Sequence, residues 1–153
     1  MKEFTDLLKK KILLLDGAMG TMIQKHKLDE EDFRGNSFKN WKKLLKGNND
    51  ILNLSKPDLV YEIHKEFLDA GADIIETNTF NSTEISQLDY GCEKFSYDLN
   101  LEGAKIARKA VDDFKEKNNQ PKFVSGVLGP TNRTCSMSPD VNDPGFRNID
   151  FDK

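Results

Sequence analysis

The stretch that decides the fold is Leu13-Leu14-Leu15-Asp16-Gly17-Ala18-Met19-Gly20-Thr21. An apolar run ends at a carboxylate, and a turn of small residues then leads into the amphipathic start of a helix. This order predicts a buried strand that stops at Asp16, with free backbone N–H groups just beyond it. Such groups can hold a carboxylate while Asp16 holds an ammonium, and a free amino acid carries both charges. The alternative is an ordinary strand-to-helix turn with a surface aspartate.

Composition limits the classes of partner. The 153 residues are enough for one domain with a hydrophobic core. The net charge is -3 and the only basic run is Lys9-Lys10-Lys11, so neither nucleic acid nor a membrane surface is indicated as a partner. No apolar stretch approaches the roughly 20 residues of a membrane span. The amphipathic N-terminus lacks the apolar block of a signal peptide, so we expect a cytoplasmic protein.

Metal-ligand spacing is absent from the sequence. Cys92 and Cys135 are the only cysteines, and His26 and His64 are the only histidines. They are far apart and match no zinc pattern, so a complete metal site within this chain is not expected. His64 lies between Val60 and Leu68 at helical spacing, which favours a histidine on a helix face.

Strands and helices are predicted to alternate along the chain. Four strands are predicted, at 13–16, at 51–54, within 72–80 around a buried centre at Ile74-Ile75, and at 123–128. Helices are predicted at 1–11, from Met22, from 57 to Gly71, from Thr83 to about Gly91, and at 99–114. This alternation favours βαβ units and a parallel sheet covered by helices. The segment 25–49 is predicted to be a long loop or a set of short helices. It either gates a pocket or caps the fold with aromatic side chains.

Polar residues follow three of the predicted strands: Asp16, then Glu76-Thr77-Asn78, then Gly129-Pro130-Thr131. Parallel α/β sheets bind ligands beyond the carboxyl ends of their strands, so these residues are expected at one edge. Three unrelated helix caps are the alternative. Four βα units make the first half of a TIM-like (β/α)8 barrel, whose usual length is about 250 residues. An open four-stranded sheet is the alternative architecture.

Several long motifs carry a resemblance to a known family. They are Asp16–Thr21, Gly47-Asn48-Asn49-Asp50, Ser55-Lys56-Pro57, 70–83, 126–134 and Ser138-Pro139-Asp140-Val141-Asn142-Asp143-Pro144. In this order they resemble the homocysteine-binding domain of the cobalamin-dependent methionine synthase family. Related homocysteine methyltransferases that use betaine or S-methylmethionine share the Asp-Gly turn but match the later motifs less well. The resemblance implies that residues 1–153 are a partial homocysteine-binding domain, with the barrel incomplete at its C-terminal side.

The resemblance also implies a reaction. In that family a zinc ion, held by three cysteines from later strands, binds the homocysteine sulfur as a thiolate. The thiolate takes a methyl group from methylcobalamin, which methyltetrahydrofolate recharges, and methionine is formed. The partners in the full-length protein would be the folate and cobalamin modules. By the same resemblance Asp16 would accept the substrate ammonium, and Gly17 and Ala18 would donate backbone N–H groups to its carboxylate.

The remaining site residues also come from the resemblance. Thr77 would be a further substrate contact, and Glu76 and Asn78 would shape the same pocket. No catalytic residue and no metal ligand is assigned within the chain, because the zinc cysteines would lie beyond Lys153, so the chain alone is expected to be inactive. The alternatives are a non-catalytic amino-acid-binding module, a half-barrel that pairs with another chain, and a stand-alone homocysteine S-methyltransferase with another methyl donor.

Overall fold

The computed structural model describes residues 2–118 and 120–149. It contains more helix than strand. The helices are α1 (Lys2–Leu8), α2 (Met19–Lys25), α3 (Glu30–Arg34), α4 (Leu52–Ser55), α5 (Pro57–Asp69), α6 (Glu84–Gln87) and α7 (Ser96–Asn118). The strands are β1 (Ile74–Glu76) and β2 (Phe123–Ser125). Within these described ranges, no helix combines the length and the apolar character needed to cross a membrane.

Three parallel segments lie side by side. β1 pairs with β2 in parallel, with Ile75 opposite Val124. On the other side of β1, Leu15 forms a parallel bridge with Ile74, and the Asp16 N–H donates to the Ile74 carbonyl at 2.9 Å. The carboxyl ends of all three segments therefore reach the same edge. The prediction of a parallel α/β arrangement is confirmed for these segments, and the closed barrel stays a prediction.

The strand predicted at 51–54 is wrong. A 3₁₀ turn at Asn49–Ile51 leads directly into α4, so the segment is helical. Leu52 is completely buried. A four-residue apolar run does not distinguish a buried strand from a buried helical turn, because both put every side chain in the core. One of the predicted βα units, the one that begins at residue 51, is therefore not formed.

The first predicted strand is only partly right. Its end at Asp16 and its parallel neighbour are as expected, but Leu14 and Leu15 are 57% and 52% exposed. This segment forms one edge of the described sheet, since its single bridge is to β1. An apolar run predicts that a strand is buried on both faces, but it does not identify the residues that bury it.

The predicted helices are largely confirmed. α5 begins at Pro57, because proline is favoured in a first turn and moves the preceding Lys56 out of helical geometry (φ -142°). It ends before Gly71, whose φ of +108° is the left-handed conformation that glycine adopts without strain. α7 extends beyond the predicted 99–114 at both ends and packs against α5. The core between them includes residues with no exposed side chain: Val60, Ile63, Leu99, Ala107 and Val111.

The segment 25–49 caps the fold with aromatic side chains. Phe33 and Phe38 are buried, and Phe38 makes edge-to-face contacts with Trp41 and Phe95 at 5.8 and 5.3 Å between ring centroids. The Trp41 indole N–H donates to the Tyr90 carbonyl at 2.9 Å. Of the two predicted roles, the structure favours the cap.

Candidate functional site

A cleft of about 490 Å³ lies at the carboxyl edge of the parallel segments. Its lining residues are Asp16, Gly17, Ala18, Met19, Gly20, Asn49, Asp50, Glu76, Thr77, Asn78, Thr79, Phe80, Asn81 and Val127. All six residues predicted to bind substrate are in this set, although they come from two strand ends that are 60 residues apart. They meet because the Asp16 segment is the parallel neighbour of β1.

The two carboxylate oxygens of Asp16 have different surroundings. Its Oδ2 accepts the Glu76 N–H at 3.0 Å, whereas its Oδ1 is buried and has no hydrogen-bond partner among the described residues. Burial raises the pKa of Asp16 to about 6, the Glu76 N–H opposes this shift, and the Glu76 charge adds to it. A buried carboxylate oxygen without a partner is costly, so this atom is suited to a cationic ligand.

The turn after Asp16 offers backbone donors. In the described parts of the chain, no hydrogen bond uses the N–H group of Gly17 or Ala18. Ala18 is the N-cap of α2, with an extended backbone and no side-chain cap. A Cβ on Gly17 would come within 3.3 Å of the Phe67 ring, so the turn passes close to α5. Two free N–H groups beside Asp16 can bind a carboxylate.

The Thr77 hydroxyl belongs to a closed set of hydrogen bonds. The Val127 N–H donates to Thr77 Oγ1 at 3.0 Å, and Thr79 Oγ1 donates to the Val127 carbonyl at 2.9 Å. Because Thr79 has one hydroxyl proton, the 2.7 Å contact between the two hydroxyls is donated by Thr77. The end of β2 is thus held against the residues after β1. Toward a ligand, Thr77 can act only as an acceptor.

Asn78 is similarly committed to the fold. Its side-chain N–H groups donate to the Asn49 carbonyl at 2.9 Å and to Asn53 Oδ1 at 3.1 Å. The Asn53 amide returns a hydrogen bond to the Asn78 carbonyl at 2.8 Å. These bonds fasten the α4 segment to the end of β1. Asn78 therefore lines the cleft and has no side-chain N–H group left for a ligand.

Asp50 is a cleft residue that the sequence analysis missed. It is 2% exposed, and burial raises its pKa to about 6 against opposing hydrogen bonds from Ser82 and Asn81. The sequence carried one signal for it, the turn Gly47-Asn48-Asn49-Asp50 before an apolar run. At the level of sequence this turn contributes only to the family resemblance, because the apolar run at 51–54 predicts a strand.

Gly129-Pro130-Thr131, the third predicted group, does not line the cleft. From the same strand end, Val127 does. Gly129 lies so close to the Phe80 backbone that a Cβ would collide with the Phe80 carbonyl oxygen. Glycine at this position lets the chain pass beside Phe80, at the edge that follows β1 and β2.

The residues present do not fit the zinc ion that the family resemblance implies. Within 2–118 and 120–149, no group of three or more His, Cys, Asp or Glu side chains is placed to hold a metal ion. Cys92 is buried and Cys135 is exposed, and their sulfur atoms face the Tyr90 and Ile149 carbonyls. Burial raises the pKa of Cys92 to about 11, which disfavours the thiolate that a metal requires.

The carboxyl edge of a parallel α/β sheet is where proteins of this class bind small molecules, and the cleft lies at that edge. The family model of the homocysteine S-methyltransferases matches residues 13–153. Because this match covers nearly the whole chain, the chain belongs to the homocysteine S-methyltransferase family.

Solved structures of one enzyme resemble the chain. The metallated form of the homocysteine methyltransferase MmuM from Escherichia coli is 26% identical, with a TM-score of 0.64 over 82% of this chain and 40% of that one. The oxidized form of MmuM is 28% identical, with a TM-score of 0.64 over 81% and 39%. The apo form gives 26% identity and a TM-score of 0.58 over 85% and 41%. The chain thus spans about two fifths of the length of these relatives.

Proposed function

We propose that the cleft binds homocysteine by its amino-acid end, and that the chain is the substrate-binding part of a homocysteine S-methyltransferase. The observation that carries the proposal is Asp16 Oδ1, a buried carboxylate oxygen with no hydrogen-bond partner among the described residues. It lies near the backbone N–H groups of Gly17 and Ala18, which are also unused there. Membership of the homocysteine S-methyltransferase family supports the choice of ligand.

The charge of the cleft supports binding of the ammonium group. Among the described residues, the lining includes the carboxyl groups of Asp16, Asp50 and Glu76 and no lysine, arginine or histidine. We assign the substrate ammonium to Asp16 Oδ1 and the substrate carboxylate to the N–H groups of Gly17 and Ala18. In this arrangement Thr77 accepts a hydrogen bond from the substrate, while Glu76 and Asn78 shape the pocket.

The finer proposal is a cytoplasmic methionine synthase in which methylcobalamin, recharged by methyltetrahydrofolate, methylates homocysteine bound to zinc. Its support is the ordered set of motifs from Asp16 to Pro144. Residues 1–153 would then be a partial homocysteine-binding domain of a (β/α)8 barrel. The described residues hold no zinc ligand set, so we assign them binding and orientation of the substrate and no step of methyl transfer.

A second candidate is a homocysteine methyltransferase with a different methyl donor. The observation that favours it is the structural similarity to MmuM, a homocysteine methyltransferase, at 26–28% identity. The two candidates share the Asp16 cleft and differ only in the donor, so the same binding experiment tests what they have in common.

The test is calorimetric titration of the chain with L-homocysteine under reducing conditions. We expect saturable binding, at least about tenfold weaker for Asp16→Asn, since one lost charge-assisted hydrogen bond is worth about 1.5–3 kcal/mol. The matched control is Asp112→Asn, which removes an exposed aspartate on α7 and should bind like the wild type. 4-Mercaptobutyrate, which lacks the ammonium, should bind weakly. Equal affinity of wild type and Asp16→Asn would overturn the proposal.

A further inference from the structure

Asp50 is a buried carboxylate that pairs with no positive charge in the described part of the chain. It lies in the 3₁₀ turn at Asn49–Ile51 and is 2% exposed. Within the described ranges, no ion pair includes Asp50. A buried carboxylate is costly unless hydrogen bonds compensate for its lost hydration. Asp50 lines the cleft, so the groups that compensate for its burial are part of the structure of the site.

The compensating hydrogen bonds all come from one segment. Asp50 Oδ2 accepts the Asn81 N–H at 2.6 Å and the Ser82 hydroxyl at 2.8 Å. These residues directly follow Phe80, and both Phe80 and Asn81 line the cleft. The Asp50 carboxylate thus reaches across from the turn before α4 to the wall of the cleft that follows β1.

The same wall is held from its other side. The Gln87 side chain donates to the Asn81 carbonyl at 3.0 Å, and the amides of Gln87 and Asn48 exchange two hydrogen bonds at 2.8 and 3.1 Å. Ser82 is fixed in turn, since its carbonyl accepts hydrogen bonds from α7. Asp50 supplies the only charged group in this network, and charge-assisted hydrogen bonds are about twice as strong as neutral ones.

We propose that Asp50 is a positioning residue of the cleft, which fixes the wall Phe80–Ser82 and thereby sets the affinity for the amino-acid ligand. The part of this inference that concerns the ligand rests on the proposed function. The part that concerns the wall rests on the hydrogen bonds to Asn81 and Ser82 alone.

The experiment compares three substitutions in the 153-residue chain. Asp50→Ala removes both hydrogen bonds, Asp50→Asn keeps an acceptor without the charge, and Ser82→Ala removes one bond. We expect the Kd for homocysteine to rise about tenfold in Asp50→Ala, by less in Asp50→Asn, and least in Ser82→Ala. Partial rescue by asparagine distinguishes positioning by a hydrogen-bond acceptor from a general loss of the side chain.

A stability control is needed because Asp50→Ala will also weaken the fold. Val111→Ala shortens a fully buried side chain of α7 outside the cleft lining. It should lower the free energy of unfolding and leave the Kd of the folded protein unchanged. A rise in Kd in Val111→Ala equal to that in Asp50→Ala would overturn the inference, as would a wild-type Kd in Asp50→Ala.

A nuclear magnetic resonance measurement separates this inference from the proposed function. The Asn81 amide proton, which donates to a carboxylate at 2.6 Å, should resonate downfield and move upfield in Asp50→Asn. It should stay in place in Asp112→Asn. If the wild type binds no homocysteine, the proposed function fails, and the Asn81 amide decides whether Asp50 holds the wall. An unmoved Asn81 amide in Asp50→Asn would overturn the inference whether or not homocysteine binds.

Discussion

Lys122 Nζ lies 3.3 Å from Asp73 Oδ1, and both side chains are almost completely buried, at 4% and 7% exposure. Lys11 Nζ lies 2.7 Å from the same oxygen, and the Leu14 N–H donates to Oδ2 at 3.1 Å. These residues stand at the N-terminal ends of the three parallel segments. One carboxylate therefore ties together the edge of the sheet opposite the cleft.

Loss of the Asp73 charge is expected to destabilise the fold strongly. In Asp73→Asn, Lys122 remains buried without its counter-charge, and breaking a buried pair from one side costs about 3–5 kcal/mol. The measurement is the free energy of unfolding from urea denaturation, with Asp112→Asn as the exposed control, for which we expect less than about 1 kcal/mol. A loss below about 1 kcal/mol in Asp73→Asn would show that the pair does not anchor the sheet.

The Asp73 pair also predicts a pH dependence. Burial alone would raise the pKa of Asp73, but hydrogen bonds from Lys11, the Leu14 N–H and Lys122 outweigh it and lower the pKa below 3.8. The folded state thus binds this proton more weakly than the unfolded state. Its contribution to stability is complete above the unfolded pKa and is lost as the pH falls through the folded pKa. The stability difference between wild type and Asp73→Asn should therefore shrink in strong acid.

His64 is expected to act in a different pH range. It is fully buried on α5, and neither ring nitrogen has a partner in the described part of the chain. Burial lowers its pKa from 6.5 to about 4, so the unfolded state binds its proton first. Stability from neutral His64 is complete above 6.5 and falls as the pH drops from 6.5 toward 4. At pH 5 the loss amounts to about 2 kcal/mol.

The variant that isolates this effect is His64→Leu. Leucine removes both unpaired nitrogens, so the variant should be more stable than the wild type, and the gap should widen by about 2 kcal/mol between about pH 8 and pH 5. Comparing the two proteins at each pH cancels the contributions of Asp16 and Asp50, whose raised pKa values act in the opposite direction. A constant gap would mean that His64 does not titrate as its burial requires.

The hydrogen bonds between Thr77, Thr79 and Val127 are expected to contribute to the stability of the fold. Thr77→Val keeps the side-chain shape but leaves the Val127 N–H without its acceptor, which should cost about 1–3 kcal/mol in the free energy of unfolding. Thr77→Ser keeps the hydroxyl and should cost less than Thr77→Val. Urea denaturation of the two variants gives the comparison. Equal stability of the valine and serine variants would exclude a structural role for this hydroxyl.

Much of this organisation was predictable, because a few residue types have strong local preferences. Pro57 and Gly71 marked the ends of α5, and Thr83 caps α6 by accepting the Ser86 N–H. Polar residues at the ends of apolar runs, Asp16 and Glu76-Thr77-Asn78, predicted a shared edge, and both groups line one cleft. These signals are local, since each depends on backbone conformation or on one strand end.

What the sequence did not reveal depends on tertiary contacts. The run at 51–54 is helical because Asn53 inserts its amide between the Asn78 and Leu99 carbonyls, which lie 25 and 46 residues away. Asp50 enters the cleft for the same reason, through bonds to residues 31 and 32 positions later in the chain. Local propensity carries no information about partners at such separations.

If homocysteine binds at Asp16 as proposed, the raised pKa of Asp16 should make its binding dependent on pH. Only the carboxylate can pair with the substrate ammonium, and the raised pKa of about 6 means that a proton competes with the substrate within an accessible range. The Kd should be constant at about pH 7–8 and should rise below pH 6, approaching tenfold per pH unit for one proton. Calorimetric titrations at several pH values measure this directly.

Two variants assign that pH dependence to one carboxyl group. Asp50 also has a pKa of about 6 and lines the same cleft, so it could produce a similar profile. In Asp50→Asn the rise in Kd below pH 6 should persist, because Asp16 still titrates. In Asp16→Asn the affinity should be low, and its pH dependence should shrink to the smaller effect of protonating Asp50. The reverse pattern would transfer the ammonium contact from Asp16 to Asp50, and a flat wild-type profile would mean that neither carboxylate pairs with the substrate.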